Sequence, residues 1–129
     1  MNTTDALATQ KKFLSLGTHL PVKDLRETLE YYRKLGFTDE WKEGDSDGGI
    51  RRDGLRMLFA QDPAFTGDIN NARHRLPLLW FVEGIENIFA EFRERGIGFA
   101  DTLRKHPYGL KEFAFIDVNG YYIRVAEAV

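Results

Sequence analysis

The chain contains no cysteine. Disulfides and thiolate metal sites are thereby excluded, and a reducing compartment is compatible with the composition. No charge of one sign prevails: 18 Lys and Arg stand against 20 Asp and Glu, without a basic block, so nucleic acid has no electrostatic footprint. No apolar run approaches the ~18 residues of a membrane span. The first twelve residues are polar and lack the apolar centre of a signal peptide. The acidic loop carrying Asp39, Glu40, Glu43, Asp45 and Asp47 has no calcium-binding spacing, and Gly96-Ile97-Gly98 lacks a nucleotide-binding context. The expectation is a cytoplasmic protein that meets neither nucleic acid nor membrane.

What is there is written twice. Val22-Lys23-Asp24-Leu25 opens a helical pattern that closes at Gly36-Phe37, and Val82-Glu83-Gly84-Ile85 opens another that closes at Gly96-Ile97, 60 residues later at both ends. Turn dipeptides follow, Asp53-Gly54 and Asn119-Gly120, at an offset of 66. The second copy therefore carries about six extra residues, which we place around His106–Gly109. Asp24 with Glu27 has capping-box spacing. Leu25, Thr28, Leu29 and Tyr32 form one helical stripe, and Ile85, Ile88, Phe89 and Phe92 form its counterpart. Strands are expected at Phe13–Pro21, Phe37–Lys42, Ile50–Arg52, Leu55–Gln61, Leu78–Val82, Ile97–Leu103, Phe113–Asp117 and Tyr121–Glu127.

The fold class that follows is α+β: two β-α-β-β-β modules, each a mixed sheet with a helix on one face and a cavity on the other. The boundaries are a flexible arm 1–12, a first module 13–61, a connector 62–77 and a second module 78–127, all in one structural domain.

Strand alternation divides the side chains between the two faces. On the helix side we expect Leu16, Leu20, Val22, Ile50, Leu55, Met57, Phe59, Leu78, Trp80 and Val82. Arg51, Arg56, Leu58 and Ala60 take the other side, with Ser15, Gly17, His19, Pro77, Leu79 and Phe81. For the last hairpin a two-residue turn at Asn119-Gly120 predicts Ala114, Ile116, Ile123 and Val125 toward the helix. Phe113, Phe115, Tyr122 and Arg124 then line the cavity.

Leu20-Pro21-Val22-Lys23-Asp24-Leu25, then Tyr31-Tyr32 and Leu35-Gly36-Phe37, resemble the opening of the vicinal oxygen chelate superfamily of glyoxalases, dioxygenases and bleomycin-resistance proteins. Tyr108-Gly109-Leu110-Lys111-Glu112-Phe113 and Asp117-Val118-Asn119-Gly120-Tyr121 are similar to its last hairpin. Gly48-Gly49-Ile50-Arg51-Arg52-Asp53-Gly54 looks most like the bleomycin-resistance branch. Enzymes of the superfamily hold a divalent metal with four side chains, whose places fall here on Gly17, Leu58, Pro77 and Arg124. None suits a metal, so the resemblance implies no metal, no cofactor and a drug-sequestering homodimer.

The expected ligand site comprises His19, Trp41, Arg56, Leu58, Phe81, Tyr108, Phe113, Phe115, Tyr122 and Arg124. A buried arginine requires an acceptor, and for Arg124 that is either an anionic ligand or a protein carboxylate. The aromatic residues stack on a flat ligand or fill the core. Trp41 could wall the cavity and Tyr108 could lid it, whereas His74 and His106 read as solvated loop histidines. The function expected is metal-independent binding of a small amphipathic or aromatic molecule, such as antibiotic or toxin sequestration. The alternative is a metal-free lyase or isomerase with His19 as base and Tyr122 or Arg124 stabilising an anion. A dimerising module without a ligand is a third reading.

Overall fold

A computed structural model describes residues 11–68 and 75–129. The first half runs β1 (His19–Val22), α1 (Leu25–Lys34), β2 (Thr38–Glu43), β3 (Asp47–Arg52) and β4 (Leu55–Gln61). The second runs β5 (Leu78–Phe81), α2 (Ile85–Glu94), β6 (Asp101–Lys105), β7 (Leu110–Ile116) and β8 (Tyr122–Ala128). Each half builds one four-stranded sheet, in the orders β1-β4-β3-β2 and β5-β8-β7-β6. The first strand of each lies parallel to the last and the remaining pairs are antiparallel.

The helices form where the stripes demand. Leu25, Thr28, Leu29 and Tyr32 are the buried residues of α1. Asp24 caps it by accepting from the Glu27 N–H at 3.0 Å. Helix α2 begins at Gly84 in the left-handed region, with no side chain of its own to cap it. Its first amides instead reach Glu127 at the end of β8: Gly84 N–H at 3.0 Å and Ile85 N–H at 3.1 Å. The matching contact in the first module is the Leu25 N–H on Gln61 Oε1 at 2.9 Å. Gln61 and Glu127 are 66 residues apart, so the duplication extends to the capping of each helix by its own last strand.

The helix-facing sides of both sheets meet in one core. Tyr32 stacks on Phe59 and lies against Trp80, and Trp80 contacts Phe37 and Phe115. Each fully buried Leu, Ile or Phe contributes about 1.5–3 kcal/mol.

The two modules are also joined by polar bonds. The turn Asp117–Tyr121 reaches into the first module: Tyr32 OH donates to Asp117 Oδ2 at 2.5 Å, Asn119 Nδ2 to Thr28 Oγ1 at 3.0 Å, and Tyr121 OH to the Pro21 carbonyl at 2.6 Å. The connector closes over this turn. Phe65 stacks on Tyr121, and a Cβ on Gly67 would lie 2.6 Å from the Asn119 carbonyl oxygen, so only glycine allows the approach. In the other direction the Arg52 guanidinium grips Glu91 of α2 at 2.8 and 2.9 Å.

Three expectations need correction. The ladder pairs Phe113 with Val125 and Ile116 with Tyr122, one residue off the expected register. Phe113 and Phe115 therefore face the helix and are fully buried, while Ile116 is exposed. The cause is Asp117, whose carboxylate accepts from the Asn119 and Tyr121 amides and lengthens the turn beyond two residues. Second, β1 begins only at His19, because β4 offers it no pairing partner before Thr18; Phe13, Leu14 and Leu16 are exposed. Third, β6 starts at Asp101, since Phe99 is engaged in stacking on Phe89 instead. The second hairpin loop, at His106–Gly109, is the longer: three residues separate the innermost pair Glu43 and Asp47, and five separate the innermost pair Lys105 and Lys111, so it takes two of the extra residues.

Candidate functional site

Each sheet turns one face away from the helices, and on these open faces most of the expected site residues gather. On the first sheet, Trp41 lays its indole over Gly49. A Cβ at Gly49 would meet Trp41 Nε1 at 2.6 Å and Leu58 Cδ2 at 3.0 Å, so the glycine makes the seat for the ring. Leu58 is directly paired with His19 of β1. His19 Nε2 lies 2.9 Å from Asp47 Oδ1. Arg56 forms a two-point pair with Glu40, and Arg51 donates to the Asp53 carbonyl at 2.8 Å.

On the second sheet, Arg124 does not await an anionic ligand. Its guanidinium holds Glu112 of β7, with Nη2 2.9 Å from Oε2 and 3.1 Å from Oε1. Tyr108 OH donates to the same carboxylate, and the His106 ring stacks on Tyr108 with centroids 4.9 Å apart. His106 is only 8% exposed, not solvated, and its Nε2 lies 3.5 Å from Glu112 Oε1 without a hydrogen bond. Burial pushes the Glu112 carboxyl up. The hydrogen bonds from Arg124 and Tyr108, with the charges of Arg124 and His106, outweigh burial and hold it below the ordinary value. Glu112 is thus the organising residue of this face. A two-residue turn would aim it toward the helix; the longer turn places it on the open face. Across the true ladder it sits opposite Ala126, diagonal to Arg124.

Around this cluster, Tyr122 carries the Arg75 guanidinium over its ring at 4.0 Å. Phe81 is 65% exposed and Tyr108 57%, with Leu79 and Ile116 also presented to solvent. Phe113 and Phe115 are absent from the face, and His74 lies outside the described residues.

The four places where the superfamily holds its metal come together in two pairs. A Cβ on Gly17 would lie 3.9 Å from Leu58 Cδ1. Arg124 is paired with Leu79, two residues beyond Pro77. Glycine, leucine and proline offer no donor and Arg124 adds a positive charge, so this set does not fit a divalent cation. Among the described residues, no group of three His, Asp or Glu side chains is placed to hold a metal elsewhere.

A groove of about 820 Å³ lies between the β3–β4 hairpin and the β5–α2 segment, with Leu55, Ile88 and Phe92 among its walls and Phe81 shared with the open face. None of the helices in the described residues is long and apolar enough to cross a membrane.

These features can be set beside known proteins. No curated protein matches the sequence significantly. Among solved structures, the bleomycin resistance determinant encoded on transposon Tn5 superposes with a TM-score of 0.77 at 15% identity, covering 90% of this chain and 98% of that one. A bleomycin-binding protein complexed with bleomycin gives 0.75 at 15% identity, with 91% and 100% covered. A glyoxalase-related enzyme from Clostridium phytofermentans gives 0.71 at 14% identity, with 94% and 99% covered. At these identities the likeness is one of fold. The sequence profile of the Glyoxalase/Bleomycin resistance protein/Dioxygenase superfamily matches residues 12–125, nearly the whole chain, and the protein belongs to that superfamily.

Proposed function

We propose that the protein is a metal-independent binder of a small flat amphipathic molecule, held between open sheet faces that two copies of the chain bring together. One observation carries the reading: where superfamily enzymes place metal ligands, this chain places Gly17, Leu58, Pro77 and an Arg124 paired with Glu112. Stacking surfaces surround those positions, namely Trp41 over Gly49, Tyr122, Phe81 and Tyr108. The bleomycin resistance determinant and the bleomycin-binding protein that share this fold support sequestration as the purpose. Glu112 neutralises Arg124 within the pair, so the preference moves to neutral or cationic flat bodies, and a cationic drug fits the face.

The test is a thermal-shift and calorimetric screen of neutral, cationic and anionic aromatic amphiphiles, with elemental analysis of protein purified without chelators. Neutral or cationic ligands should bind without stoichiometric metal, and Trp41→Ala should weaken them about tenfold, the worth of a good aromatic stack. One equivalent of bound zinc, nickel, iron or manganese, or binding confined to anions, would overturn the reading.

The His19–Asp47 pair favours a second reading, a metal-free lyase or isomerase in which Asp47 orients the imidazole as a base. Proton–deuterium exchange at a carbon of a bound ligand, lost in His19→Gln with affinity retained, would distinguish that chemistry from sequestration.

A further inference from the structure

The groove between the β3–β4 hairpin and α2 has an internal counterpart. Its walls Phe81, Glu83, Ile88 and Phe92 stand 60 positions after Pro21, Lys23, Thr28 and Tyr32. Those four residues are the ones that the Asp117–Tyr121 turn occupies on the first module. Lys23 N–H meets Asn119, Thr28 meets Asn119, Tyr32 meets Asp117, and the Pro21 carbonyl accepts from Tyr121 OH. The groove is thus the duplicate of a gap that is filled in one module and open in the other.

The difference is chemical and local. Tyr121 corresponds to Leu55, 66 positions earlier, which has neither a ring nor a hydroxyl. The β3–β4 turn is the two residues Asp53-Gly54, without an asparagine to reach across. In the filled gap, the Phe65 ring of the connector lies on Tyr121 with centroids 5.8 Å apart and planes at 17°. No described residue plays that part at the groove. The walls agree with an aromatic guest: Trp80 and Phe92 are buried at its base, and Leu55 and Ile88 flank them. Alternate carbonyls of β1 point away from β4, Pro21's among them. Phe81 holds the equivalent place on the edge strand β5, so its carbonyl is set to accept a hydroxyl as Pro21 does.

The geometry points to a binding site for a small phenol in this groove, which borders the open face at Leu79 and Phe81 but centres on Leu55, Ile88 and Phe92. The ring lies beyond the Leu55 side chain, in the space that the outer part of the Tyr121 ring takes in the filled gap, and the hydroxyl donates to the Phe81 carbonyl. A volume of 820 Å³ admits one such ring with a substituent.

The test uses 4-ethylphenol on the intact chain, followed by amide and indole NMR shifts. Saturable binding should perturb the Trp80 indole and the α2 amides, while 4-ethylanisole, which cannot donate, should bind about fivefold more weakly. Leu55→Tyr rebuilds the internal ring and should abolish the Trp80 indole and α2 amide shifts while the protein stays folded. Trp41→Ala, on the open face, should leave those groove shifts unchanged. No saturable shift of these signals at millimolar phenol, or shifts of them that survive both Leu55→Tyr and Ile88→Trp, would overturn the assignment. So would a change of sedimentation mass on adding phenol, which would make the groove a contact between copies of the chain.

Discussion

Asp117 and Glu112 are both buried carboxylates, and the protein moves them in opposite directions. Burial raises the Asp117 carboxyl, and bonds from Tyr32 OH and the Tyr121, Asn119 and Gly120 amides offset only part of that. The folded state thus holds this proton more tightly than the unfolded chain. The stability Asp117 contributes is present below its unfolded value and is lost as pH rises through the raised folded one. Asp117→Asn is neutral at every pH. Its penalty in urea denaturation should be largest near pH 4 and shrink toward pH 7; a penalty that grows with pH would contradict the assignment. Glu112, held below its ordinary value, contributes stability above that value and loses it as pH falls through the folded one. Arg124→Met should cost about 1–2 kcal/mol at pH 7, discounted for the partial exposure of the guanidinium, and the loss should vanish in acid.

At the scale of elements, each helix start is held by the last strand of its own sheet. Glu127→Ala removes two acceptors from α2 and should cost about 1 kcal/mol by urea denaturation. Glu127→Gln keeps one acceptor oxygen and should cost less than Glu127→Ala, losing one of the two amide bonds and the charge–dipole part. Gln61→Ala at α1 should cost less than Glu127→Ala, because Asp24 still caps that helix. These strands and helices were largely legible in the chain. The stripes of α1 and α2 are the faces that became buried, and Asp53-Gly54 made the two-residue hairpin it promised, with Asp53 at φ 52°. Asn119-Gly120 misled, since the carboxylate two residues earlier, not the dipeptide, sets the turn length. That one-residue error exchanged Phe113 and Phe115 for Glu112 and Ile116 on the open face, and so hid the acidic centre of the candidate site.

For the whole molecule, the open faces present Trp41, Leu79, Phe81 and Ile116 to solvent, apolar side chains that a second copy of the chain could cover. A homodimer is our expectation, with a particle twice 14.9 kDa in sedimentation at micromolar concentration and dissociation in Phe81→Lys. A single 15 kDa species in the native protein would count against it.

The bonds between the modules also set an order of events. Tyr32 to Asp117 spans 85 positions and Pro21 to Tyr121 spans 100, so the loop these contacts close is nearly the length of the chain. Such closure carries a large entropic cost that local contacts cannot share. During synthesis the first module emerges with Thr28, Tyr32 and the Pro21 carbonyl turned toward a turn not yet made. Tyr32→Phe should accordingly speed unfolding and leave the folding rate almost unchanged, the signature of contacts formed after the transition state. A duplicated protein of this design is therefore not two folding units in series: its first half must wait for the last hairpin before its own helix is fully satisfied.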